Sequence, residues 1–212
     1  MITSHPSAPL GCVSSLERYS PLDFPTPCAI LCRNNAPLVA FAYSLLQRDI
    51  PCRILGRDIG ASLAKIVKSM RASTLDECED RLSAWLTREV ERCVKEDKSP
   101  EAIQDQHACL VFFIRGLDED SRSVASLLAK IDLMFGEATD KDLGSRVVLC
   151  SIHKSKGLEW PRVFILDRQL LPSKFATRPE ALVQEYNLGY VAVTRSMHSL
   201  FYIQSGCWKE NE

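Results

Sequence analysis

Short apolar runs alternate with longer periodic segments along the chain. CAILC at 28–32 is a continuous apolar run bounded by Pro27 and Arg33, a pattern typical of a strand buried on both faces of a parallel sheet. The segment APLVAFAYSLLQRD then repeats apolar positions at helical spacing, and PCRIL forms a second short run. Strand, helix and strand within about 30 residues predict a βαβ unit.

The rest of the chain contains a long helical stretch followed by more buried runs. Between 59 and 136 the apolar positions follow helical spacing, as in the stripe formed by Leu75, Leu82, Trp85, Leu86, Val90, Cys93 and Val94. RVVLCSI and RVFIL then predict two buried strands, and a predicted helix from 179 to about 191 precedes a last strand, SLFYIQ.

These elements predict an α/β domain with a parallel sheet and an all-helical insertion. We assign the sheet domain to 28–58 and 145–204 and the insertion to 59–144. The proline-rich segment 1–27 is predicted to be an irregular lead-in, and 205–212 a tail.

Composition excludes several classes of protein. No apolar stretch approaches the roughly 20 residues of a membrane span, and the start MITSHPSAPLGC lacks the regions of a secretory signal. The nine cysteines are scattered without a C-x-x-C pair, which favours buried thiols over a metal site. We therefore expect a soluble, cytoplasmic protein with no bound metal of its own and no membrane partner.

The net charge of −1 conceals an uneven distribution. Residues 76–142 contain 17 acidic side chains against 9 lysines and arginines, whereas 146–178 contain 7 basic against 2 acidic ones. The acidic part is unlike a nucleic-acid surface, but a basic segment with Gly and Pro is suited to bind phosphate.

Three segments at the ends of predicted elements carry side chains suited to phosphate chemistry. Arg33 directly follows the strand CAILC, and Arg195 follows the apolar run VAV; each is either a phosphate-binding arginine or an arginine that caps an element. Between two strands, SIHKSKGLEWP combines a histidine, two lysines, a glycine and a carboxylate, and this segment is either an anion-binding loop or a solvated connecting loop.

Together these segments resemble a known family. In order and spacing, ILCRNNAPL, VVLCSIHKSKGLEWPRVFIL and QEYNLGYVAVTR are similar to motifs IV, V and VI of the UvrD/Rep type of superfamily 1 DNA helicases. The resemblance implies a RecA-like second motor domain, called 2A, in which the helical insertion is a reduced 2B domain.

The resemblance also implies roles for individual residues. Arg33 and Arg195 would be catalytic and reach the γ-phosphate of ATP, while Gly157 and Glu159 would lie at the nucleotide, with the glutamate on its sugar. The implied single-stranded DNA contacts are His153, Lys154 and Lys156.

The sequence departs from the family at two points. The family commonly has an aromatic residue before the motif IV arginine, where this chain has Cys32. No G-x-x-x-x-G-K-[ST] phosphate loop occurs, so the resemblance implies that ATP and Mg²⁺ are held mainly by a Walker-A-bearing partner domain, in trans or in a missing N-terminal part. The isolated chain is then expected to be inactive. The alternative is a non-catalytic remnant that binds DNA or a helicase.

Overall fold

The computed structural model describes residues 10–135 and 145–209, apart from the side chain of Ser121. Its strands and longer helices are, in chain order, β1 (Cys12–Ser15), β2 (Cys28–Cys32), α1 (Asn35–Leu46), β3 (Cys52–Leu55), α2 (Arg57–Met70), α3 (Leu75–Lys95), α4 (Glu101–Arg115), α5 (Val124–Phe135), β4 (Val147–Ser151), β5 (Trp160–Leu166), α6 (Pro179–Val193) and β6 (Ser196–Ile203). The predicted α/β fold with an inserted helical block is confirmed.

The six strands form one parallel sheet in the order β1-β6-β5-β2-β4-β3. β2 lies between β4 and β5, so that Ile30 is in register with Leu149 on one side and Phe164 on the other. Because all strands run the same way, their last residues lie along one edge of the sheet, here called the carboxyl edge, and their first residues lie along the amino edge.

Helices cover the two faces of the sheet unequally. Successive side chains of a strand point to opposite faces of the sheet. On one face, here called the first face, Ile30 and Leu149 pack with buried residues of α1 to α5. On the second face, Leu31 and Cys150 belong to a smaller cluster that includes Leu188 of α6. The second face is therefore the side on which α6 lies.

The helical insertion shares the core of the sheet domain. Leu63 of α2 and Leu110 of α4 are fully buried in the same hydrophobic cluster as Ile30. In addition, Asp105 of α4 accepts hydrogen bonds from the backbone amides of Asn35 and Ala36 at the start of α1. The insertion is thus packed onto the sheet without a separate core.

Both predicted irregular ends contribute to the packing. Cys12–Ser15 pair with β6 as the sheet's edge strand, and Tyr19 is completely buried between the rings of Phe24 and Trp208. A short, mostly exposed strand lacks an apolar run, which is why the pattern did not reveal it. Of the predicted segments, 1–9, 136–144 and 210–212 lie outside the described residues.

Candidate functional site

Arg33 lies at the carboxyl edge, directly after β2, where two carboxylates bind it. Its Nε and Nη2 donate to Glu185 of α6, the shortest distance being 2.8 Å from Nη2 to Oε1. Nη2 also donates to Oε2 of Glu101 of α4 at 3.2 Å. Ser173 completes the cluster, because its amide donates to Glu185 and its hydroxyl to Glu101. Arg33 therefore joins the sheet, the insertion and α6.

The Arg33–Glu185 pair is largely shielded from water, with side-chain exposures of 16% and 10%. Burial on its own raises the pKa of Glu185, but the hydrogen bonds from Arg33 and the Ser173 amide outweigh it and hold the pKa below its usual range. For Arg33, burial opposes the charged form, and the bond to Glu185 with the charge of Glu101 raises its pKa. Both groups are ionised at neutral pH.

His153 and Lys154 follow β4 at the same carboxyl edge. The pKa of His153 is lowered, first by loss of solvation and then by the positive charge of Arg33, although Glu185 opposes the shift. Its imidazole is therefore neutral at neutral pH and suited to hydrogen bonding. Lys154 forms an ion pair with Asp58 in the first turn of α2, with 2.7 Å between Nζ and Oδ2.

The amino terminus of α1 follows the central strand β2 and is a common phosphate-binding position in α/β folds. Here its first amides are bonded to the carboxylate of Asp105, which also accepts from the side-chain amide of Asn35. A phosphate at this helix terminus would have to displace a negative side chain of the same protein.

The loop 152–159 links the carboxyl end of β4 to the amino end of β5. Because β2 lies between these strands, the loop must cross the sheet, and Ile152 is buried in the cluster on the second face. Ser155 is completely buried and donates to the Ile152 carbonyl at 2.8 Å. Lys156, Gly157 and Glu159 remain exposed.

Arg195 lies at the opposite, amino edge, between α6 and β6. Three hydrogen bonds orient its guanidinium: to the Val191 carbonyl at 3.0 Å, the Leu158 carbonyl at 3.0 Å and the Thr194 hydroxyl at 2.9 Å. All three acceptors are uncharged, and within 10–135 and 145–209 no carboxylate pairs with this arginine. Its positive charge is therefore positioned but not neutralised.

Gly157 and Glu159 lie on either side of Leu158, whose carbonyl binds Arg195. Gly157 has a φ of +85°, a conformation that L side chains rarely adopt, and a Cβ added here would meet no atom within 4 Å. The amide of Trp160 donates to the Arg195 carbonyl at 3.0 Å, which ties the end of the loop to the start of β6. The exposed Gly157–Glu159 segment and Arg195 thus form one surface.

The predicted site residues accordingly separate into two groups. Arg33, His153 and Lys154 are at the carboxyl edge, whereas Gly157, Glu159 and Arg195 are at the amino edge. Lys156 is in the loop between them. The structure brings Arg195 to the predicted nucleotide residues but places Arg33 at the other edge of the sheet.

Comparison with known proteins identifies the family. Residues 61–206 match the family model of the UvrD-like helicase C-terminal domain, which covers more than half of the chain.

The chain belongs to this family.

The matched residues include the 152–159 loop and Arg195, whereas Arg33 precedes them.

Two curated relatives agree with this assignment. The chain is 35% identical to the ATP-dependent DNA helicase Rep of Buchnera aphidicola over 74 residues, which are 34% of this chain and 11% of that protein. It is also 35% identical to DNA helicase II of Escherichia coli over 86 residues, which are 39% of this chain and 12% of that helicase. Each match spans little more than a tenth of the relative.

Other predicted features concern metals, thiols and membranes. Among the described residues, no group of three or more His, Cys, Asp or Glu side chains could hold a metal ion. Seven of the cysteines are buried and all nine are free thiols, as expected for cysteines that pack in the core. In the same part of the chain, no helix has the length and apolar character needed to cross a bilayer.

Sequence reasoning missed the carboxylates that bind Arg33 and Lys154. Glu185 carries a recognisable signal, because it shares the buried face of α6 with Leu188 and Ala192, where a carboxylate requires a partner. Glu101 and Asp58 are in the acidic first turns of their helices, and nothing in the sequence distinguishes them from ordinary helix-end carboxylates.

Proposed function

We propose that this chain supplies half of an ATP-dependent DNA helicase motor, with nucleotide contacts at the amino edge and single-stranded DNA contacts at the carboxyl edge. A Walker-A-bearing domain would hold ATP and Mg²⁺. The observation that carries the proposal is Arg195, an arginine fixed by three uncharged acceptors beside the exposed Gly157–Glu159 segment.

At the amino edge, Arg195 would stabilise the negative charge that develops on the transferred phosphoryl group. Such an arginine has to be positioned before the reaction and must not be neutralised by a carboxylate of its own domain, and the Arg195 contacts meet both conditions. The Glu159 carboxylate would accept a hydrogen bond from the nucleotide sugar. Gly157 leaves its backbone open to a ligand.

For Arg33 we propose a positioning role. Its guanidinium is occupied by Glu185 and Glu101, so reaching a phosphate would mean breaking a shielded ion pair and leaving two carboxylates without their counter-charge. By holding α6 and α4 at the carboxyl edge, Arg33 fixes the surroundings of His153. The γ-phosphate contact would then depend on Arg195.

At the carboxyl edge, His153, Lys154 and the neighbouring Lys156 would contact the DNA backbone. The neutral His153 imidazole is suited to hydrogen bonding, and the two exposed lysines to ionic contact. Lys154 is paired with Asp58, and a DNA phosphate would take the place of that carboxylate. An exposed pair of this kind is weak enough to be exchanged.

The decisive experiment supplies the missing domain by fusion to the Walker-A domain of Escherichia coli DNA helicase II. We expect ATP hydrolysis stimulated by single-stranded DNA in the fusion, and none above background in the isolated chain. Arg195→Lys keeps the charge but loses the planar fork, so we expect turnover to fall by a factor of at least about 10³ with little change in nucleotide affinity. Glu159→Ala is expected to weaken nucleotide binding more than turnover.

The non-catalytic alternative makes a different prediction. A remnant that only binds DNA or a helicase would leave the fusion inactive while the isolated chain still bound DNA. An active fusion whose turnover survives Arg195→Lys would instead refute the role proposed for Arg195.

A further inference from the structure

A groove of about 330 Å³ lies on the second face of the sheet, between α6 and the strands β5 and β6. We propose that this groove binds bases of single-stranded DNA by stacking. The proposal rests on the DNA contacts proposed above and extends them to the exposed face of α6, which carries Tyr186 and Tyr190.

The exposed wall of the groove is aromatic. Of the aromatic rings in 10–135 and 145–209, those of Tyr186 and Tyr190 are the exposed ones, at 66% and 55%, and both line this groove. Four residues apart on α6, they are neighbours on the helix surface. Gly189 of the same helix also lines the groove, and a Cβ added there would meet no atom within 4 Å. A flat ring therefore has room beside the tyrosines.

The opposite wall provides a cation and a third ring. The guanidinium of Arg168 lies over the ring of Tyr202, 4.6 Å from its centroid. Arg168 is exposed and follows β5, which places it at the carboxyl edge with His153 and Lys154. The groove therefore opens on the same edge of the sheet as the proposed DNA contacts, so one strand could engage both.

This combination favours nucleobases over a protein partner. Every base has a π-face that stacks on tyrosine or on an arginine plane, and a cation near the rings attracts the adjoining phosphates. Arg168 belongs to the basic segment 146–178. A protein surface would need a broad apolar area, whereas the exposed residues that line this groove are the two tyrosines with their polar hydroxyls, Arg168, Pro172 and Val193, the last only 37% exposed.

The test uses the full chain and two oligonucleotides of equal length, oligodeoxythymidylate and an abasic strand with the same phosphates. Replacing both Tyr186 and Tyr190 with Ala should weaken binding of the thymidylate strand by about tenfold or more and leave the abasic strand unchanged. Changing both tyrosines to Phe should preserve binding. Val183→Ala is the matched control, because Val183 is exposed on the same helix but does not line the groove.

The outcomes separate this inference from the proposed function. If Lys154→Ala with Lys156→Ala weakens binding of both strands while the tyrosine variants have no effect, stacking is refuted and the proposed function stands. A loss confined to the thymidylate strand in the tyrosine variants supports stacking even if the lysine variants bind normally. Equal loss of affinity for both strands in the tyrosine variants would refute the inference. A changed sedimentation coefficient of these variants with unchanged DNA binding would also refute it and would indicate a protein interface instead.

Discussion

Arg33 donates three hydrogen bonds to Glu185 although the two residues are 152 positions apart in the sequence. Arg33 directly follows the central strand β2, and Glu185 belongs to α6, the helix that leads to Arg195. Because α6 runs from the carboxyl edge to the amino edge, it connects the two groups of proposed functional residues. The ion pair holds the middle of that helix, and the hydrogen bonds of Arg195 hold its carboxyl end.

The Arg33–Glu185 pair should contribute substantially to stability. Glu185→Gln leaves Arg33 buried with one fewer counter-charge but with Glu101 still bound, and we expect the free energy of unfolding to fall by about 2–3 kcal/mol. Urea denaturation of the chain, followed by circular dichroism, measures this. Glu96→Gln removes an exposed ion pair with Lys98 and should leave the midpoint unchanged. Equal midpoints for the Glu185 variant and the wild type would show that the pair is not stabilising.

The same pair should make stability sensitive to acid. The folded-state pKa of Glu185 is lowered, so the unfolded chain binds this proton more readily than the folded chain does. The contribution of Glu185 to the free energy of unfolding is fully present above the usual glutamate pKa. It is lost as the pH falls through the lower pKa of the folded state. Denaturation midpoints measured from about pH 7 to about pH 3 should therefore converge for the wild type and Glu185→Gln. A constant gap over this range would contradict the lowered pKa.

Asp105 should stabilise the junction between the insertion and the sheet. Asp105→Ala leaves the first amides of α1 without their acceptor, and loss of a helix cap typically costs about 1–2 kcal/mol. Thermal and urea unfolding would measure the change. Asp80→Ala, an exposed aspartate within α3, is the control and should not destabilise the protein. If the two variants were equally stable, the α1 cap would be dispensable.

DNA binding by the 152–159 loop should depend on salt. Each phosphate contact to a single strand contributes about 0.7 to the slope of log K against log salt concentration, so Lys154→Ala with Lys156→Ala should reduce the slope by about 1.4. Fluorescence anisotropy at several salt concentrations measures it. Replacing Lys65 and Lys68 of α2 with Ala removes the same charge elsewhere and should have a smaller effect. An unchanged slope in the loop variant would exclude these lysines as the phosphate contacts.

Much of the architecture could be predicted from the sequence. A continuous apolar run such as 28–32 has few alternatives to a buried parallel strand, and helical periodicity identified the insertion. Both patterns are local in the sequence and depend directly on which side chains are buried. The motif residues could also be found, since Gly157, Glu159 and Arg195 belong to short segments with a specific order. Cys12–Ser15 were missed because an exposed edge strand carries no such pattern.

Only the tertiary structure decided how the candidate site residues are grouped. The sequence suggested that Arg33 and Arg195 act together, but the parallel sheet places the end of β2 and the start of β6 at opposite edges. Nor does the sequence reveal that Glu101 and Glu185 bind Arg33, because the partners of a buried charge come from distant helices whose packing brings them within hydrogen-bond distance. The periodicity of the sequence indicates which side chains are buried. Which residue becomes the partner of a buried charge depends on how the buried surfaces of distant elements pack together.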